Sequence, residues 1–329
     1  MAHRPPAGGR GRRQPPTGRR ILPPIDAKAP LWTPGRDARR VGVEAGLDLA
    51  RFVAKAYGRG RLSRSAARTL IERGSVRVNG RVETFHSRQL AAGDIVEAFL
   101  TDTTEHVFDA DRVLMDRDGV LIYDKPAWLP VTRPDRKGSW SLFDILAGAC
   151  GEMHAVHRLD ADTSGLVIFA RTRPLAQRLE AMFRDHAVEK EYLALVRGHP
   201  RPEGLHKSYL VLKDKTPGRE RWASGRGQGA REAITAWTVE SRIGPYASLV
   251  RVAPRTGRHH QIRLHFSEMG FPLYGDRLYG DRRDPAQAPR HMLHASRVLL
   301  PHPAGGERID VRSEAPADFL ELMQRLRRL

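Results

Sequence analysis

The sequence predicts an α+β fold, because strand patterns dominate its C-terminal two thirds without a regular alternation of strands and helices. Five short apolar stretches have the length and composition of strands. They are Val120–Tyr123, Leu166–Ala170, Tyr192–Val196, Ala233–Val239 and Ser248–Val252. Helical patterns lie between only some of them, which argues against a doubly wound α/β fold, and we find no internal repeat.

Two helices are predicted among these strands. The first, RPLAQRLEAMF, follows Thr172, a residue type that caps helices. Its apolar face consists of Leu175, Leu179, Met182 and Phe183. The second, HQIRLHFSEMG, ends at Gly270, and one face carries Ile262, His265, Phe266 and Met269. Between the strands, Lys213–Gly229 is rich in Gly, Lys and Arg and is predicted to form a mobile loop.

A smaller unit precedes this region. Leu49, Phe52, Val53 and Ala56 have helical spacing, and a second helix carries Ala67, Leu70 and Ile71 between a serine cap, Ser63 or Ser65, and Gly74. Val76 and Val78 alternate with polar residues before Asn79-Gly80, a strong hairpin signal. A last strand is predicted near Ile95–Phe99. The predicted order is therefore helix, helix, hairpin and strand.

The positive charge is concentrated toward the N-terminus. The net charge is +18, and residues 1–40 hold ten Lys or Arg, two Asp or Glu and eight prolines. Residues 1–42 are therefore predicted to form a disordered basic arm, which either contacts nucleic acid or is only a solvated tail. The following unit carries a basic cluster that we interpret as RNA-binding. It consists of Lys55, Arg61, Arg64, Arg68 and Arg73.

The compartment is constrained by what the sequence lacks. A single cysteine, Cys150, allows no internal disulfide, which favours a reducing compartment. No apolar run approaches the ~20 residues that a membrane helix needs, and the first residues lack the apolar core of a secretory signal. We expect a cytoplasmic protein without a membrane partner, although the arginine-rich start leaves organelle targeting open.

One polar motif, HRLDADTSG, introduces the apolar stretch GLVIFA. A turn would account for Thr163, Ser164 and Gly165. It would not account for the preceding residues His157-Arg158-Leu159-Asp160, and this polar segment before a buried strand indicates a carboxylate held at the edge of that strand. Histidine pairs such as His259-His260 raise the alternative of a metal site. No cysteine pairs and no helical His-Glu-x-x-His pattern occur, and phosphate-binding or dinucleotide fingerprints are also missing, so no metal or cofactor is predicted.

Five segments in order resemble the RluA-type RNA pseudouridine synthases. They are VLIYDKPAWLPV, HRLDADTSGLVIFA, VEKEYLALVRG, RTGRHHQIRLHFSEMGFPLYGDRLYG and RHMLHASRVLLPHP, between Val113 and Pro303. In addition, LSRSAARTLIERGSVRVNG and Gly93-Asp94 resemble the αL RNA-binding module of a ribosomal small-subunit protein. One departure is Trp128, where the family usually has glycine; we expect no effect on activity from it.

The resemblance implies a domain order and a fold. It gives an αL module over residues 43–100 and a catalytic domain over 113–329, while composition predicts the basic arm over 1–42 and a polar linker over 101–112. The catalytic domain is expected to contain a mixed, largely antiparallel sheet. The implied reaction is the isomerisation of uridine in RNA to pseudouridine, which needs no cofactor and no metal.

The resemblance also assigns site residues. Asp160 is the implied essential carboxylate, acting as nucleophile or as base, and Arg263 its partner, while Tyr192 stacks on the flipped base. Supporting positions are His157, Arg158, Leu159, Gln261 and His265. The implied partner is RNA, with large-subunit ribosomal RNA favoured, and no obligate protein partner is evident. Transfer RNA, a non-catalytic RNA-binding assembly factor and a different RNA-modifying enzyme are the alternatives.

Overall fold

Two separate sheets organise the part of the chain that the structure describes. This computed structural model describes residues 38–40, 46–57, 64–72, 76–79, 81–98, 108–133, 141–216, 219–280, 286 and 288–328. Several predicted features lie outside these residues. They are most of the basic arm, residues 101–107 of the linker, and Arg61, Ser63, Arg73 and Gly74.

The elements have the following bounds. The strands are β1 (Ala38–Arg40), β2 (Val76–Val78), β3 (Arg81–Val82), β4 (Ile95–Ala98), β5 (Val113–Arg117), β6 (Val120–Lys125), β7 (His154–Ala155), β8 (Ser164–Ala170), β9 (Glu189–Arg197), β10 (Glu203–Thr216), β11 (Arg219–Ser224), β12 (Arg231–Ile243), β13 (Ala247–Pro254), β14 (Leu293–Leu300) and β15 (Ile309–Arg312). The helices are α1 (Leu49–Tyr57), α2 (Arg64–Glu72), α3 (Leu142–Cys150), α4 (Arg173–Arg184), α5 (Gln261–Glu268) and α6 (Ala317–Arg327).

The N-terminal module has its own sheet and core. Its strands follow the order β1-β4-β2-β3 and pair antiparallel. Val53 of α1 and Ala67 and Ile71 of α2 are fully buried in this core. Asn79 adopts a positive φ of 54° in the hairpin turn, as this type of turn requires. The predicted order of two helices, a hairpin and a strand is confirmed.

Two predicted boundaries of this region are wrong. Ala38–Arg40 lies inside the predicted disordered arm, yet it pairs with β4 as an edge strand. Phe108 lies in the predicted linker, yet its ring centroid is 6.4 Å from that of Tyr123 and it packs on the core of the larger sheet. Both segments are too short to show a periodic pattern, and they are ordered by contacts with residues distant in sequence.

The larger sheet has eleven strands. Nine follow the order β11-β10-β12-β13-β9-β14-β8-β6-β5, while β15 pairs with β14 and β7 with β8. Within the described sheet β14 and β8 are the parallel pair, and the other pairs are antiparallel. The predicted α+β fold with a mixed, largely antiparallel sheet is confirmed, and all five predicted strands are present.

The parallel pair depends on a glycine. Gly165 pairs with Ala295 and has a φ of +107°, which is unfavourable for other residues. A Cβ at this position would lie 2.2 Å from the Ala295 carbonyl oxygen. The glycine in TSG therefore allows β8 and β14 to approach, which joins the two halves of the sheet directly behind the HRLD segment.

Four helices cover the two faces of this sheet. Alternate residues of β8 enter different cores: Ile168 packs with residues of α4, while Phe169 packs with residues of α3. Further along the sheet, Phe266 of α5 and Phe319 of α6 are buried in two other clusters. The α4 and α5 predictions are confirmed, but Thr172 makes no side-chain capping bond.

The predicted mobile loop over Lys213–Gly229 is wrong. The part of it up to Ser224 belongs to a hairpin in which β10 pairs antiparallel with β11, with Leu210 opposite Ser224 and Leu212 opposite Trp222. A register irregularity between Leu212 and Asp214 interrupts the alternation of apolar and polar residues. That irregularity and the exposure of Lys213 explain why the segment lacks the periodic pattern of a strand.

Two helices were not predicted. In α3 the Ser141 hydroxyl accepts a hydrogen bond from the Asp144 N–H, and the Asp144 carboxylate accepts one from the Ser141 N–H, which forms a capping box. The last helix, α6, begins after Pro316 and buries Phe319 and Leu322. Among the described residues, no helix is long and apolar enough to cross a membrane.

Candidate active site

Asp160 lies in the loop between β7 and β8, and several hydrogen bonds hold this loop in place. The Thr163 N–H donates to the Asp160 carbonyl oxygen at 3.1 Å, closing a turn. A 2.8 Å hydrogen bond joins the Thr163 hydroxyl to His291 Nε2, and a 3.1 Å bond joins the Ser164 hydroxyl to His294 Nδ1. The polar residues of DADTSG therefore fasten the loop to the segment that precedes and begins β14.

A buried lysine fixes the other side of the same loop. Lys125 Nζ donates to the carbonyl oxygens of Pro126, Leu129 and Ala161 at 2.8, 2.9 and 3.0 Å. Burial lowers the pKa of Lys125 to about 7, although the nearby Asp162 opposes this shift. The lysine of KPAW thus joins the end of β6 to the residue after Asp160.

Arg263, on α5, forms the central contact of the site. Its Nη1 donates to Asp160 Oδ2 at 2.8 Å, across 103 positions of sequence. Its Nε and Nη2 donate to the two carboxylate oxygens of Asp276 at 2.7 and 3.0 Å. The three side chains form a chain of ion pairs, Asp160–Arg263–Asp276, in which the two carboxylates engage different edges of one guanidinium.

Asp276 is held rigidly behind Arg263. Its Oδ1 accepts hydrogen bonds from the N–H groups of Leu278 and Tyr279, both at 3.0 Å, and its side chain is almost fully buried. The preceding Gly275 has a φ of +73°, and a Cβ there would lie 1.8 Å from the Arg290 carbonyl oxygen. The segment YGDRLYG therefore forms a tight turn that only glycine permits, and this turn presents a fixed carboxylate to Arg263.

The electrostatics favour an ionised Asp160. Burial alone would raise its pKa, but His260 and the Arg263 guanidinium hold that pKa well below its ordinary value. Burial lowers the pKa of His260 to about 3, so this imidazole is neutral at pH 7 and Arg263 provides the permanent charge. Burial also opposes ionisation of Asp276, yet Arg263 keeps the pKa of that carboxyl at about 2.

His260 lies beside the same carboxylate. The Tyr279 hydroxyl accepts a hydrogen bond from the Trp222 N–H at 2.9 Å and lies 2.9 Å from His260 Nδ1. A hydroxyl donates one hydrogen bond and accepts two, so this contact is compatible with either neutral tautomer of the imidazole. His260 Nε2 lies 3.7 Å from Asp160 Oδ2.

Tyr192 lies on β9 beside this group. It pairs with Val252 and Ala295 on the neighbouring strands and packs at the junction of the cores that α3 and α5 cover. Burial and the negative charge of Asp160 both raise the pKa of Tyr192, so its hydroxyl remains protonated at neutral pH. The structure thus brings together the three residues predicted as catalytic.

Of the predicted supporting residues, Arg158 and Leu159 lie in the same loop as Asp160, whereas Gln261 lies at the start of α5. Arg158 is exposed next to the site, and Leu159 is buried in the α3 core. Gln261 does not face Asp160: its amide donates to the Ile234 carbonyl oxygen and the Thr235 hydroxyl at 3.0 and 2.9 Å. It anchors the start of α5 on β12 and reaches the site only through that helix.

The two predicted histidines also have structural contacts away from Asp160. The His157 ring lies 4.6 Å from the Phe183 ring and accepts a 2.9 Å hydrogen bond from the Ile168 N–H through Nε2. His265 is bonded to the hydroxyls of Thr235 and Ser208 at 2.8 and 3.0 Å. Each of these side chains is directed into the core and away from Asp160, and their supporting role stays a prediction.

One group among the described residues has the composition of a metal site. Ligand atoms of Asp160, His259 and His260 lie within 4.8 Å of one another. The Arg263 guanidinium donates to the same Asp160 carboxylate at 2.8 Å, so a bound cation would sit beside a permanent positive charge. The geometry fits a metal poorly, and the absence of a metal from the reaction stays a prediction.

Trp128 occupies a position where glycine is sterically preferred. Its φ is +63°, in the left-handed region, and its buried Nε1 has no hydrogen-bond partner among the residues that the structure describes. The Arg290 guanidinium lies 6.0 Å from its ring centroid, and Arg290 itself donates to the Asp162 carbonyl oxygen at 3.1 Å. The backbone conformation accounts for the glycine usual in the family, and it gives the tryptophan a cost of order 1 kcal/mol.

Comparison with known proteins decides the family. The model of the RNA pseudouridylate synthase family matches residues 119–268. An uncharacterized RNA pseudouridine synthase of Mycobacterium bovis is 32% identical over 290 residues, which cover 81% of this chain and 91% of that protein. The chain belongs to the RNA pseudouridine synthases. It is an isomerase that acts on RNA.

Further relatives confirm the RluA type of this synthase. The dual-specificity RNA pseudouridine synthase RluA of Escherichia coli K12 is 32% identical over 63% of the chain and 93% of its own length. The ribosomal large subunit pseudouridine synthase C of the same strain is 34% identical over 66% of the chain and 70% of its length. The structure of human RNA pseudouridylate synthase domain-containing protein 4 has a TM-score of 0.55 and 25% identity, over 66% of the chain and 93% of that protein.

The synthase contains site residues that the sequence did not single out. Asp276, Tyr279 and Lys125 all lie within segments that resemble the family, but nothing in their spacing indicated a role. In the sequence, His260 stands out only as part of a possible metal-binding pair. Each acts through a contact with a residue distant in sequence, and only the folded chain shows these contacts.

Proposed function

We propose that this synthase isomerises uridines of large-subunit ribosomal RNA, with Asp160 as the essential carboxylate. The observation that carries the assignment of the site is the buried ion-pair chain Asp160–Arg263–Asp276, which keeps a carboxylate ionised beside Tyr192. The similarity to ribosomal large subunit pseudouridine synthase C supports the choice of RNA. We place the reaction in the cytoplasm.

The proposed chemistry conserves all atoms. The bond between N1 of uracil and C1′ of ribose breaks, the detached base turns, and a new bond joins C5 to C1′; the proton lost from C5 is balanced by one gained at N1. Two roles are open to the ionised carboxylate: attack at C1′, or removal of a ribose proton. Both require an ionised Asp160, and the neighbouring Arg263 opposes the rise in its pKa that burial would cause.

Tyr192 has the properties of a platform for the detached base. Its position at the junction of two cores fixes the ring, and its protonated hydroxyl stays uncharged beside Asp160. A uridine must leave its stack to reach this site, and an aromatic ring offers it a new stacking surface. The exposed Arg158, two residues before Asp160, is available to contact the displaced strand.

The ribosomal substrate is tested by mapping. RNA from a strain that lacks the gene is compared with wild-type RNA by chemical detection of pseudouridine. We expect at least one large-subunit site to lose its modification and to regain it when the purified synthase is added. A loss confined to transfer RNA would contradict the proposed substrate but not the proposed site.

The N-terminal module supplies a candidate RNA-binding surface. Arg64 and Arg68 are exposed on α2, and Lys55 is exposed near the end of α1. Arg64 is also paired with Asp48 at 2.7 Å, so its charge is partly compensated. We propose that these residues contact phosphates and set the position of the RNA, while the isomerisation takes place on the larger sheet.

Deletion of residues 1–100 is expected to weaken binding to structured RNA and to flatten its salt dependence. Removal of one phosphate contact lowers the slope of log K against log salt by about 0.9 in a duplex region. Of the residues that the structure describes, none before Phe108 belongs to the cores of the larger sheet, so the remaining domain should fold. The deletion also removes the 3.2 Å hydrogen bond from Arg277 to the Glu72 carbonyl oxygen.

Salt titrations and single-turnover rates of both proteins test this expectation. The truncated synthase should react slowly at saturating RNA. An unchanged salt slope would show that the arm and module do not touch RNA. Normal binding without any reaction would place the module in the catalytic step.

Asp276→Asn is expected to lower kcat about tenfold and to change KM much less. The substitution leaves Arg263 buried with one carboxylate instead of two, so the guanidinium loses the partner that aims it at Asp160. Removing one partner of a buried ion pair costs about 3–5 kcal/mol of stability. Single-turnover rates, RNA affinity and Tm are the measurements.

The matched control is Asp318→Asn, which disrupts a second buried Arg–Asp pair. Arg290 donates to both oxygens of Asp318, at 2.7 and 3.0 Å. The two variants should lose similar stability, whereas the control should retain more of the catalytic rate. Equal losses of rate in both variants would show that Asp276 affects the rate only through the stability of the fold.

A further inference from the structure

The hairpin of β10 and β11 closes one side of the active site. Alternate residues of a strand point to the same face, and three such residues of β11 contact α5 or the segment before it. They are Glu220, Trp222 and Ser224. The Ser224 hydroxyl donates to Glu268, the last residue of α5, at 2.7 Å. The other two side chains meet at His259, two residues before the helix that carries Arg263.

His259 connects this hairpin to Asp160. Its Nδ1 accepts a 3.1 Å hydrogen bond from the Trp222 indole N–H and lies 3.0 Å from Glu220 Oε2. Its Nε2 lies 3.7 Å from Asp160 Oδ1. The His259 ring also packs on the His260 ring, with the centroids 4.2 Å apart and an angle of 35° between the planes. These contacts hold the imidazole with one nitrogen toward the hairpin and the other toward the carboxylate.

The two carboxylate oxygens of Asp160 have different surroundings. Oδ2 accepts the 2.8 Å hydrogen bond from Arg263 and lies 3.7 Å from His260 Nε2. Oδ1 accepts no hydrogen bond within the described ranges of the chain, and His259 Nε2 borders it. An oxygen with unengaged lone pairs can attack C1′ or take up a proton. Oδ1 is therefore the oxygen that the surrounding contacts leave available, and His259 is its neighbour.

The partners of Nδ1 determine where the His259 imidazole carries hydrogen. An indole N–H only donates and an ionised carboxylate only accepts. When Nδ1 is unprotonated, it accepts the Trp222 bond and the hydrogen is on Nε2; when both nitrogens are protonated, Nδ1 donates to Glu220 and Nε2 again carries hydrogen. Hydrogen on Nδ1 alone would break the indole bond and turn a lone pair toward Asp160. Both favoured forms therefore present an Nε2–H group to Asp160 Oδ1.

Glu220 is itself held on the hairpin. Lys215 lies opposite it on β10, and the Lys215 ammonium is 3.0 Å from Glu220 Oε1. The Lys215 contact lowers the pKa of Glu220, although burial opposes this shift, so the carboxylate is ionised at neutral pH. The side chains thus follow one another from the hairpin to the active site in the order Lys215, Glu220, His259 and Asp160.

We propose that His259 is a positioning residue for Asp160, and that its Nε2–H group orients the oxygen that Arg263 leaves free to react. The hairpin sets the direction of this group through Trp222 and Glu220. The proposal rests on the proposed function, because it takes Asp160 as the essential carboxylate. A separation of 3.7 Å is longer than a hydrogen bond, and catalytic contacts of this kind shorten when the substrate is bound. His259 is therefore expected to affect the rate rather than RNA affinity.

Two substitutions of His259 separate the roles of its two nitrogens. The amide nitrogen of glutamine reaches the position of Nε2, whereas the shorter asparagine reaches only that of Nδ1. His259→Gln keeps a donor near Asp160 Oδ1 and should retain kcat within about threefold. His259→Asn loses that donor and should lower kcat about tenfold, the scale of one hydrogen bond to a charged group. Steady-state tritium release from C5-labelled uridine in RNA measures kcat and KM, and KM should change little in either variant.

The matched control is Ser224→Ala, which removes a contact of the same hairpin with the other end of α5. It should leave kcat and KM unchanged. A fall in kcat as large as that of His259→Asn would overturn the proposal, because any loosening of the hairpin would then have the same effect.

The His259 variants themselves can also contradict the proposal. It would be overturned by equal losses of kcat in His259→Asn and His259→Gln, by a wild-type kcat in His259→Asn, or by a change confined to KM. If His259→Asn does not fold, Trp222→Phe carries the test, because it removes the indole N–H that directs the imidazole. We expect it to lower kcat about threefold; an unchanged kcat would count against the proposal in the same way.

A spectroscopic measurement separates this proposal from the proposed function. In protein isotopically labelled at the histidine nitrogens, nitrogen chemical shifts show which ring nitrogens carry hydrogen, and the spectrum of His259→Gln identifies the resonances of His259. We expect hydrogen on Nε2 in the wild-type protein; hydrogen on Nδ1 alone would overturn the proposal. Wild-type protein that releases no tritium from ribosomal RNA would instead contradict the proposed substrate, and the spectrum would be unaffected.

Discussion

Asp160→Asn is expected to reduce pseudouridine formation by about 10⁴-fold or more, the scale of loss when a reacting group is removed. The substitution preserves the shape of the side chain but removes the charge that either proposed role requires. RNA affinity should remain close to that of the wild type, because phosphate contacts lie elsewhere. The fold should also persist, since Asp276 continues to compensate Arg263 through two hydrogen bonds.

Tritium release from C5-labelled uridine measures this loss directly. Asp162→Asn is the matched control, because it removes a carboxylate two residues away in the same loop and its side chain makes no contact with Arg263. The control should retain most of the activity. Near-normal turnover in Asp160→Asn would remove Asp160 from the mechanism.

Arg263→Ala is expected to reduce turnover by about 10³-fold and to move the acid limb of the pH–rate profile to higher pH. Without the guanidinium, burial is no longer offset and the pKa of Asp160 rises. Because the ionised carboxylate is the active form, activity then disappears as the pH falls through this raised pKa. Arg263→Lys should be partly active, since it keeps the charge but loses the planar fork.

Loss of stability must be separated from loss of chemistry in this variant. Arg263→Ala leaves Asp276 buried without its partner, which is expected to cost about 3–5 kcal/mol. The double variant Arg263→Gln with Asp276→Asn removes both charges and should recover part of the lost Tm without recovering the rate. A variant with the wild-type pH profile and only a weaker RNA affinity would contradict the pairing role.

The strands and helices of the synthase that could be predicted are those with strong local patterns. The apolar run after TSG and the amphipathic pattern of α4 are visible in the sequence alone. The hairpin at Lys213–Gly229 was missed because the irregularity after Leu212 breaks its alternation. Strand β1 has only three residues, and β4 determines its conformation through pairing.

In the candidate site, too, some residues could be predicted from local motifs, whereas the positions of others depend on tertiary contacts. Asp160, Tyr192 and Arg263 could be named because each lies in a motif of the family. Gln261 and His265 are close to Arg263 in sequence, but a helix turns about 100° per residue, so they face β12 while Arg263 faces Asp160. Proximity in sequence to Arg263 therefore does not place these two side chains at Asp160.

By itself, the sequence determined the family and the α+β class and singled out Asp160 as the candidate carboxylate, because these depend on residue order and local pattern. Only the tertiary structure decided what acts on that carboxylate. Arg263 reaches it across 103 positions, and Asp276 reaches Arg263 through a turn that Gly275 permits. Charges interact through distance in space and through burial, and neither quantity is encoded in the spacing of residues along the chain.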